Sequence, residues 1–194
     1  MRDLELIRTL TSTGKNFFTL SDLEKVTSLK RESLKVALTR WAKNRVLERA
    51  APGVYVVEGH IPPPEVIAQQ LYFPSYLSFE SALNRSGILN LVPYTLTFAT
   101  FRKTKTITVL GREVVYRQIK KDLFFGFEMR GNIYVAEPEK ALLDLIYLSV
   151  LGKASLPLEE LNFASINLKK MLDYAERFPQ RVRNRVEFLL LPSR

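Results

Sequence analysis

SDLEKVTSLKRESLKVALTRWAKNRVLERAAPGVYVV, residues 21–57, decides the reading of this chain. Ser21 opens a short helical stretch, SDLEKVT, and a turn follows at Ser28-Leu29. Thr19 or Ser21 can cap that helix, because a side-chain oxygen at the cap accepts from an amide left unpaired in the first turn. A second helix is predicted from about Lys30 to Asn44, in which Leu34, Ala37, Leu38 and Trp41 recur at helical spacing and form a core-facing stripe. Two apolar, strand-like runs close the stretch, Val46-Leu47 and Val54 to Val57, separated by Ala51-Pro52-Gly53. Phe18-Thr19-Leu20 can pair with them as a short strand, and Leu4, Leu6, Ile7 and Leu10 predict a helix ahead of it. Helix, turn, helix and a two-stranded wing make a winged helix-turn-helix.

The second helix is also where the charge collects. It carries Lys30, Arg31, Lys35, Arg40 and Lys43, with Arg45 and Arg49 just beyond. At ~100° per residue, Lys35, Thr39 and Lys43 fall opposite the apolar stripe, with Arg31, Glu32, Val36 and Arg40 on the flanks. A solvated charged face is the ordinary alternative. The short helix ahead and the wing behind favour a recognition helix that enters a DNA major groove. Lys30, Arg31, Lys35, Thr39, Arg40 and Lys43 would then lie in or beside the groove. Lysine and arginine reach guanine edges there, and a threonine methyl meets thymine. Arg45 and Arg49 would hold phosphates near the wing tip, Pro52-Gly53, contacts that set register and not sequence.

Composition agrees with a polyanionic partner. The 194 residues are 46% hydrophobic, with a formal net charge of +9 and a pI of about 9.8. The chain has no cysteine, which removes thiol catalysis, cysteine-ligated zinc, iron–sulfur clusters and disulfides. Its single histidine, His60, precedes Pro62-Pro63-Pro64 and reads as a linker residue. No cofactor and no metal are therefore expected. MRDLELIRTL has no apolar leader core, and no run approaches the ~20 apolar residues of a membrane span. A cytoplasmic protein without a membrane partner is the expectation.

Three consecutive prolines in EGHIPPPE lack amide hydrogens and hold the backbone extended, which places a linker at 60–65 between domains 1–59 and 66–194. Downstream, PEVIAQQLYF and SYLSFESALNRSGIL read as helical segments. Strands are predicted at 94–100, 106–110, 114–119 and 132–136. EPEKALLDLIYLSVL carries Pro138 at a helix start and Gly152 past its end. Its leucines leave little polar face, so this helix is expected at the centre of the second core. Helices at 167–178 and 180–190 finish an α+β fold with an antiparallel or mixed sheet.

Candidate chemistry centres on Glu137-Pro138-Glu139-Lys140 and Asp144. Restriction-type nucleases place an acid two residues before a lysine on a strand, whereas here that position is Pro138, at a helix start. Lys140 and Asp144 lie one helical turn apart and predict an ion pair worth a few tenths (~0.3 kcal/mol). The serines of SYLSFESALNRSG read as capping and packing residues. With no phosphate-cradling glycine loop, no enzyme activity is expected. A second basic stretch sets Arg102, Lys103, Lys105, Arg112, Arg117, Lys120 and Lys121 against the single acid Glu113. It is a candidate for further phosphate contact, an acidic partner, or plain solubility. Arg177, Arg181, Arg183, Arg185 and Arg194 are spread over the last helix and its flanks.

YLSFESALNRSGI (76–88), TFATFRKTKTI (97–107) and VAEPEKALLDLIYL (135–148) resemble AbiEi-type antitoxins and the transcriptional regulators grouped with them. PEKALLD is the most specific of these segments, and the chain departs from the family pattern at Arg85-Ser86. The resemblance implies the antitoxin of a type IV, abortive-infection toxin–antitoxin pair. It implies an N-terminal domain that binds inverted repeats of double-stranded DNA in its own promoter. It further implies a C-terminal domain that antagonises a co-encoded nucleotidyltransferase-like toxin without a stable complex. A dimer formed before binding and monomers assembling cooperatively on DNA both fit. Two other readings stay open: an interaction module whose DNA binding serves only autoregulation, and a metal-dependent nuclease at Glu137, Glu139 and Asp144.

Overall fold

Helix α1, Asp3–Ser12, begins the chain in the computed structural model, which describes residues 2–190. Leu6 and Leu10 are its buried residues, while Leu4 is 72% exposed, so the apolar stripe runs through Leu6 and not Leu4. Strand β1, Phe18–Thr19, leads directly into α2, Leu20–Thr27. Thr19 is the residue that caps. Its hydroxyl accepts from the Asp22 amide at 3.2 Å, and the Asp22 carboxylate accepts from the Thr19 amide at 2.9 Å. That reciprocal box starts the helix at Leu20, one residue earlier than the spacing at Ser21 implies. Ser28 takes a left-handed conformation, φ 56°, and turns the chain into α3, Arg31–Lys43.

Leu34, Ala37, Leu38 and Trp41 are the buried residues of α3, as their spacing predicts. Burying one such side chain contributes about 1.5–3 kcal/mol, so this stripe is what docks the helix. Strands β2, Leu47–Ala51, and β3, Val54–Val57, follow. They form an antiparallel sheet of order β1-β3-β2, in register Phe18↔Tyr55 and Leu47↔Val57. Gly53 closes the β2–β3 turn at φ +74°, a conformation glycine adopts without steric penalty.

The chain divides into two compact units. One is Met1–Ile67 with Ile107–Arg112, and the other is Ala68–Thr106 with Glu113–Arg194. The Leu110 amide donates to the Ala50 carbonyl at 2.8 Å, which ties the 107–112 excursion into the first unit. A boundary drawn only along the sequence does not foresee that return. Helix α4, Pro64–Leu71, begins at the third proline, so the extended segment stops at Pro63 and Glu65 is already helical. Proline is suited to a first turn because its missing N–H would have no partner there.

The six-stranded sheet uses β4 (Tyr76–Leu77), β5 (Leu96–Thr100), β6 (Lys105–Val109), β7 (Arg112–Gln118), β8 (Phe127–Arg130) and β9 (Ile133–Ala136). Helix α5 is Phe79–Arg85, and α6 (Pro138–Val150), α7 (Leu168–Ala175) and α8 (Gln180–Leu190) follow the strands. The sheet order is β6-β7-β5-β4-β9-β8. It is mixed: β4–β9 and β5–β7 are parallel, and β4–β5 and β8–β9 are antiparallel. All five residues of β5 are buried, so the threonine–apolar alternation there does not mark a wet face. Thr97 and Thr100 instead donate to the carbonyls of Ser78 and Pro74, both at 2.8 Å. Helix α6 packs against α5, α7 and α8 and is buried from Glu139 through Leu148. The fold is mixed α+β, with eight α-helices and sheets of three and six strands among the described residues. No described helix is long and apolar enough to cross a membrane. Arg194 lies outside the described residues.

Candidate functional site

Lys30, Arg31, Lys35, Thr39, Arg40, Lys43, Arg45 and Arg49 are all exposed. Lys30 stands at the N-terminal boundary of α3 without a side-chain cap, and Arg31, Lys35, Thr39, Arg40 and Lys43 belong to that helix. Arg45 follows in a left-handed conformation, φ 52°, and Arg49 lies on β2. The buried stripe of α3 fixes what points away from it. At ~100° per residue, the line opposite the stripe runs through Glu32, Val36, Thr39 and Lys43, with Lys35 and Arg40 to either side. Glu32 and Val36 therefore sit centrally and not on a flank. Their i, i+4, i+7, i+11 spacing with Thr39 and Lys43 is visible in the sequence, but an acid and a valine do not attract notice in a search for cations.

Charge on this face is only partly matched. Lys35 Nζ meets Glu32 Oε1 at 2.9 Å, and that hydrogen bond holds the Glu32 carboxyl below its usual range. Lys30, Lys43, Arg45 and Arg49 form no ion pair among the described residues. The Arg40 guanidinium lies 5.9 Å from the Trp41 ring centre. Beside it a hollow of about 320 Å³ is walled by Leu29, Ser33, Val36, Ala37, Arg40 and Trp41, together with Thr27. The Trp41 indole N–H has no acceptor among the described residues. This surface combines cations, one carboxylate and exposed methyl groups on a rigid helix.

The residues of the second basic stretch differ in their surroundings. Arg117 donates to both carboxylate oxygens of Glu80, at 2.9 and 2.8 Å, and its guanidinium lies 5.1 Å from the Phe79 ring centre. It is a half-buried structural pair. Arg102 donates to the Phe73 carbonyl at 2.9 Å and covers the Tyr72 ring at 4.2 Å, while Lys105 approaches the same ring at 5.1 Å. Lys103 is exposed, and Arg112, which groups with the first unit, is half-buried.

Glu137, Glu139 and Asp144 point at separate partners. Glu137 accepts from Lys170 Nζ at 2.6 Å and from the Tyr174 hydroxyl. Burial raises its carboxyl, but Lys170 and Tyr174 outweigh that and hold it below the usual range. Glu139 accepts from the Asn167 amide at 2.9 Å, at the start of α7. Asp144 is fully buried and takes three donors: the Lys140 ammonium, the Tyr76 hydroxyl at 2.8 Å and the Ser78 hydroxyl at 2.8 Å. Among the described residues, no three acidic or histidine side chains converge as metal ligands.

Lys140 is the centre of that cluster. It is 0% exposed, pairs with Asp144, donates to the Tyr76 hydroxyl at 2.8 Å, and lies 5.1–5.4 Å from the rings of Tyr76, Phe125 and Phe178. Burial pushes the Lys140 ammonium down and the Asp144 carboxyl up, and their mutual attraction opposes both shifts. Burial, then the neighbouring Asp144, pushes the Tyr76 phenol well up. A surface pair worth a few tenths of a kcal/mol is thus the wrong description. The signal was in α6 itself: a helix with almost no polar face has no wet side on which to put its lysine. Ser78 precedes α5 but does not cap it, since its hydroxyl goes to Asp144. The distinctive PEKALLD segment therefore encodes a helix start and a buried ion pair.

In comparison with known proteins, the chain matches no family model and no curated sequence.

Proposed function

We propose that this protein is a sequence-specific DNA-binding repressor, that its first unit is a winged helix-turn-helix, and that α3 is the recognition helix. The observation that carries this reading is the outward face of α3, a line of side chains with base-reading chemistry flanked by exposed cations. The left-handed turn at Ser28 and the β2–Gly53–β3 hairpin support it. Lys43, Arg45 and Arg49 would contact phosphates, and the Lys35 and Arg40 flanks would reach base edges. The test is titration of the purified protein into duplex DNA from upstream of its own gene, against a scrambled duplex. Specific binding is expected, with a log–log salt slope of about −0.9 per phosphate contacted. Lys35→Ala and Arg40→Ala should each weaken it without moving the melting temperature. Unchanged affinity in both variants removes α3 as the reading element.

The biological setting we propose is that of an AbiEi-type antitoxin acting in the cytoplasm against a co-encoded nucleotidyltransferase-like toxin. The three stretches at 76–88, 97–107 and 135–148 support this. Full-length protein with Arg40→Ala and Lys43→Ala, no longer able to repress, should still protect cells that express the toxin from an independent promoter. Loss of protection in that variant would tie toxin antagonism to repression and exclude a separate antagonist role for the second unit.

A further inference from the structure

The outermost line of α3 is interrupted by an apolar spot. Val36 is 73% exposed, and its neighbours Glu32, Lys35, Thr39 and Arg40 are all exposed polar residues. Thr39 stands three residues on, so the two side chains are adjacent on the helix surface. The Thr39 hydroxyl donates to the Lys35 carbonyl at 3.2 Å. With its hydrogen used inside the helix, the threonine presents its methyl. Both residues are β-branched, a choice that weakens a helix where the side chain is not packed. Neither is explained by the core, which lies on the other side.

We propose that Val36 and Thr39 form a methyl-reading pair that recognises the 5-methyl groups of thymine in the major groove. This rests on α3 being the recognition helix, and it names the bases at the centre of the site. Thymine alone among the four bases presents a methyl in that groove. Val36 also borders the hollow that Leu29, Ala37 and Trp41 line together with Ser33, Thr27 and Arg40, so the apolar spot continues into a partly apolar recess. The charged flanks cannot supply this discrimination, because a cation reads a guanine edge or a phosphate and gains nothing from a thymine methyl.

The experiment uses the full chain and duplexes that it selects from a random-sequence library. Each thymine of the recovered motif is replaced in turn by deoxyuridine, which keeps the pairing and O4 and loses only the methyl. At one or two positions the wild type should bind about fourfold more weakly, the effect of withdrawing one buried methyl-sized group. Val36→Ala or Thr39→Ser should weaken the thymine duplex by a similar factor and remove the deoxyuridine effect at one of those positions. The salt slope should stay at the wild-type value. Deoxyuridine without effect at every position, or an effect that survives in both variants, overturns the proposal while DNA binding stands. Selection of no duplex at all overturns the recognition helix itself, and the methyl reading with it. A shift in self-association on Val36→Ala, with deoxyuridine sensitivity unchanged, would assign the spot to a second copy of the chain.

Discussion

Lys35 and Lys140 are the same residue type on two helices, each with a carboxylate about one turn away, and they do opposite work. Lys35 pairs with Glu32 at the surface, the two side chains 62% and 83% exposed. Lys140 pairs with Asp144 where both are 0% exposed. Water screens the first pair, leaving Lys35 able to exchange its partner for a base or a phosphate. The second pair has no water to fall back on. Its charges are tolerated only because every donor finds an acceptor or a ring face, so it specifies how α6 sits and reads nothing outside. Helical spacing alone does not separate an exposed, exchangeable cation from a structural one. Burial does.

The largest effect expected from that contrast is on stability. Asp144→Ala leaves Lys140 without its counter-ion in the core and strips the acceptor from Tyr76 and Ser78, which should cost about 3–5 kcal/mol. Lys140→Met combined with Asp144→Leu should recover only part of it, since the apolar pair removes the orphaned ammonium but still leaves the Tyr76 and Ser78 hydroxyls without their acceptor. Glu32→Ala should leave the unfolding midpoint unmoved. Urea denaturation of the three proteins decides the matter, and equal midpoints for Asp144→Ala and Glu32→Ala would break the comparison.

A smaller effect sharpens it. Gly126 faces the Lys140 stem so closely that an added Cβ would lie 3.0 Å from Lys140 Cγ and 3.1 Å from Tyr174 Cε2, at φ +69°. Gly126→Ala should therefore destabilise through crowding by about 1–3 kcal/mol on top of the backbone strain. Gly53→Ala is the control. Its φ is +74°, but the nearest atom to the new Cβ is Leu20 Cδ1 at 3.9 Å. Only the left-handed strain of about 1–2 kcal/mol should appear there. Similar losses at the two sites would mean that the Lys140 stem yields.

What the sequence discloses follows the range of the interactions involved. The α3 stripe, the Thr19 cap and the start of α6 at Pro138 are local, and pattern reading finds them. Strand β4 is two buried residues with no alternation to detect, and β8 carries an exposed, mixed pattern. Arg117 reads as a loose cation because its partner Glu80 is 37 residues away. Asp144 is joined to Tyr76 across 68 residues, so its burial is a tertiary fact. Val36 is the reverse case. Its position was computable from the helix repeat, but an apolar residue among cations is easily passed over.

Arg45 is where backbone strain and a proposed phosphate contact meet in one side chain. It holds a left-handed conformation, φ 52°, that glycine would adopt more readily. Arg45→Gly should raise stability by up to about 1 kcal/mol. In the same protein the DNA salt slope should fall by about 0.9 if Arg45 holds a phosphate. Lower affinity with an unchanged slope would move the phosphate contact elsewhere.

The smallest effect concerns a surface carboxylate that is structural. A hydrogen bond from Lys15 Nζ at 2.6 Å, then bonds from the Thr19 hydroxyl at 2.7 Å and amide at 2.9 Å, bring the Asp22 pKa from 3.8 down to about 2. A depressed carboxylate stabilises the folded state fully above its unfolded pKa, and that contribution disappears as pH falls through the folded value. The window here runs from about pH 4 to about pH 2. Asp22 is 25% exposed, so solvent screens part of the gain. About 1 kcal/mol or less, the scale of one helix cap, is the expected loss in Asp22→Asn at neutral pH. The variant and the wild type should converge towards pH 2. Trp41, the single tryptophan, is buried in the same unit and reports its unfolding by fluorescence. A difference that persists unchanged at pH 2 would show that Asp22 acts through shape and not charge. It would then belong with the packing residues and not with the Lys140 pair, whose effect is electrostatic.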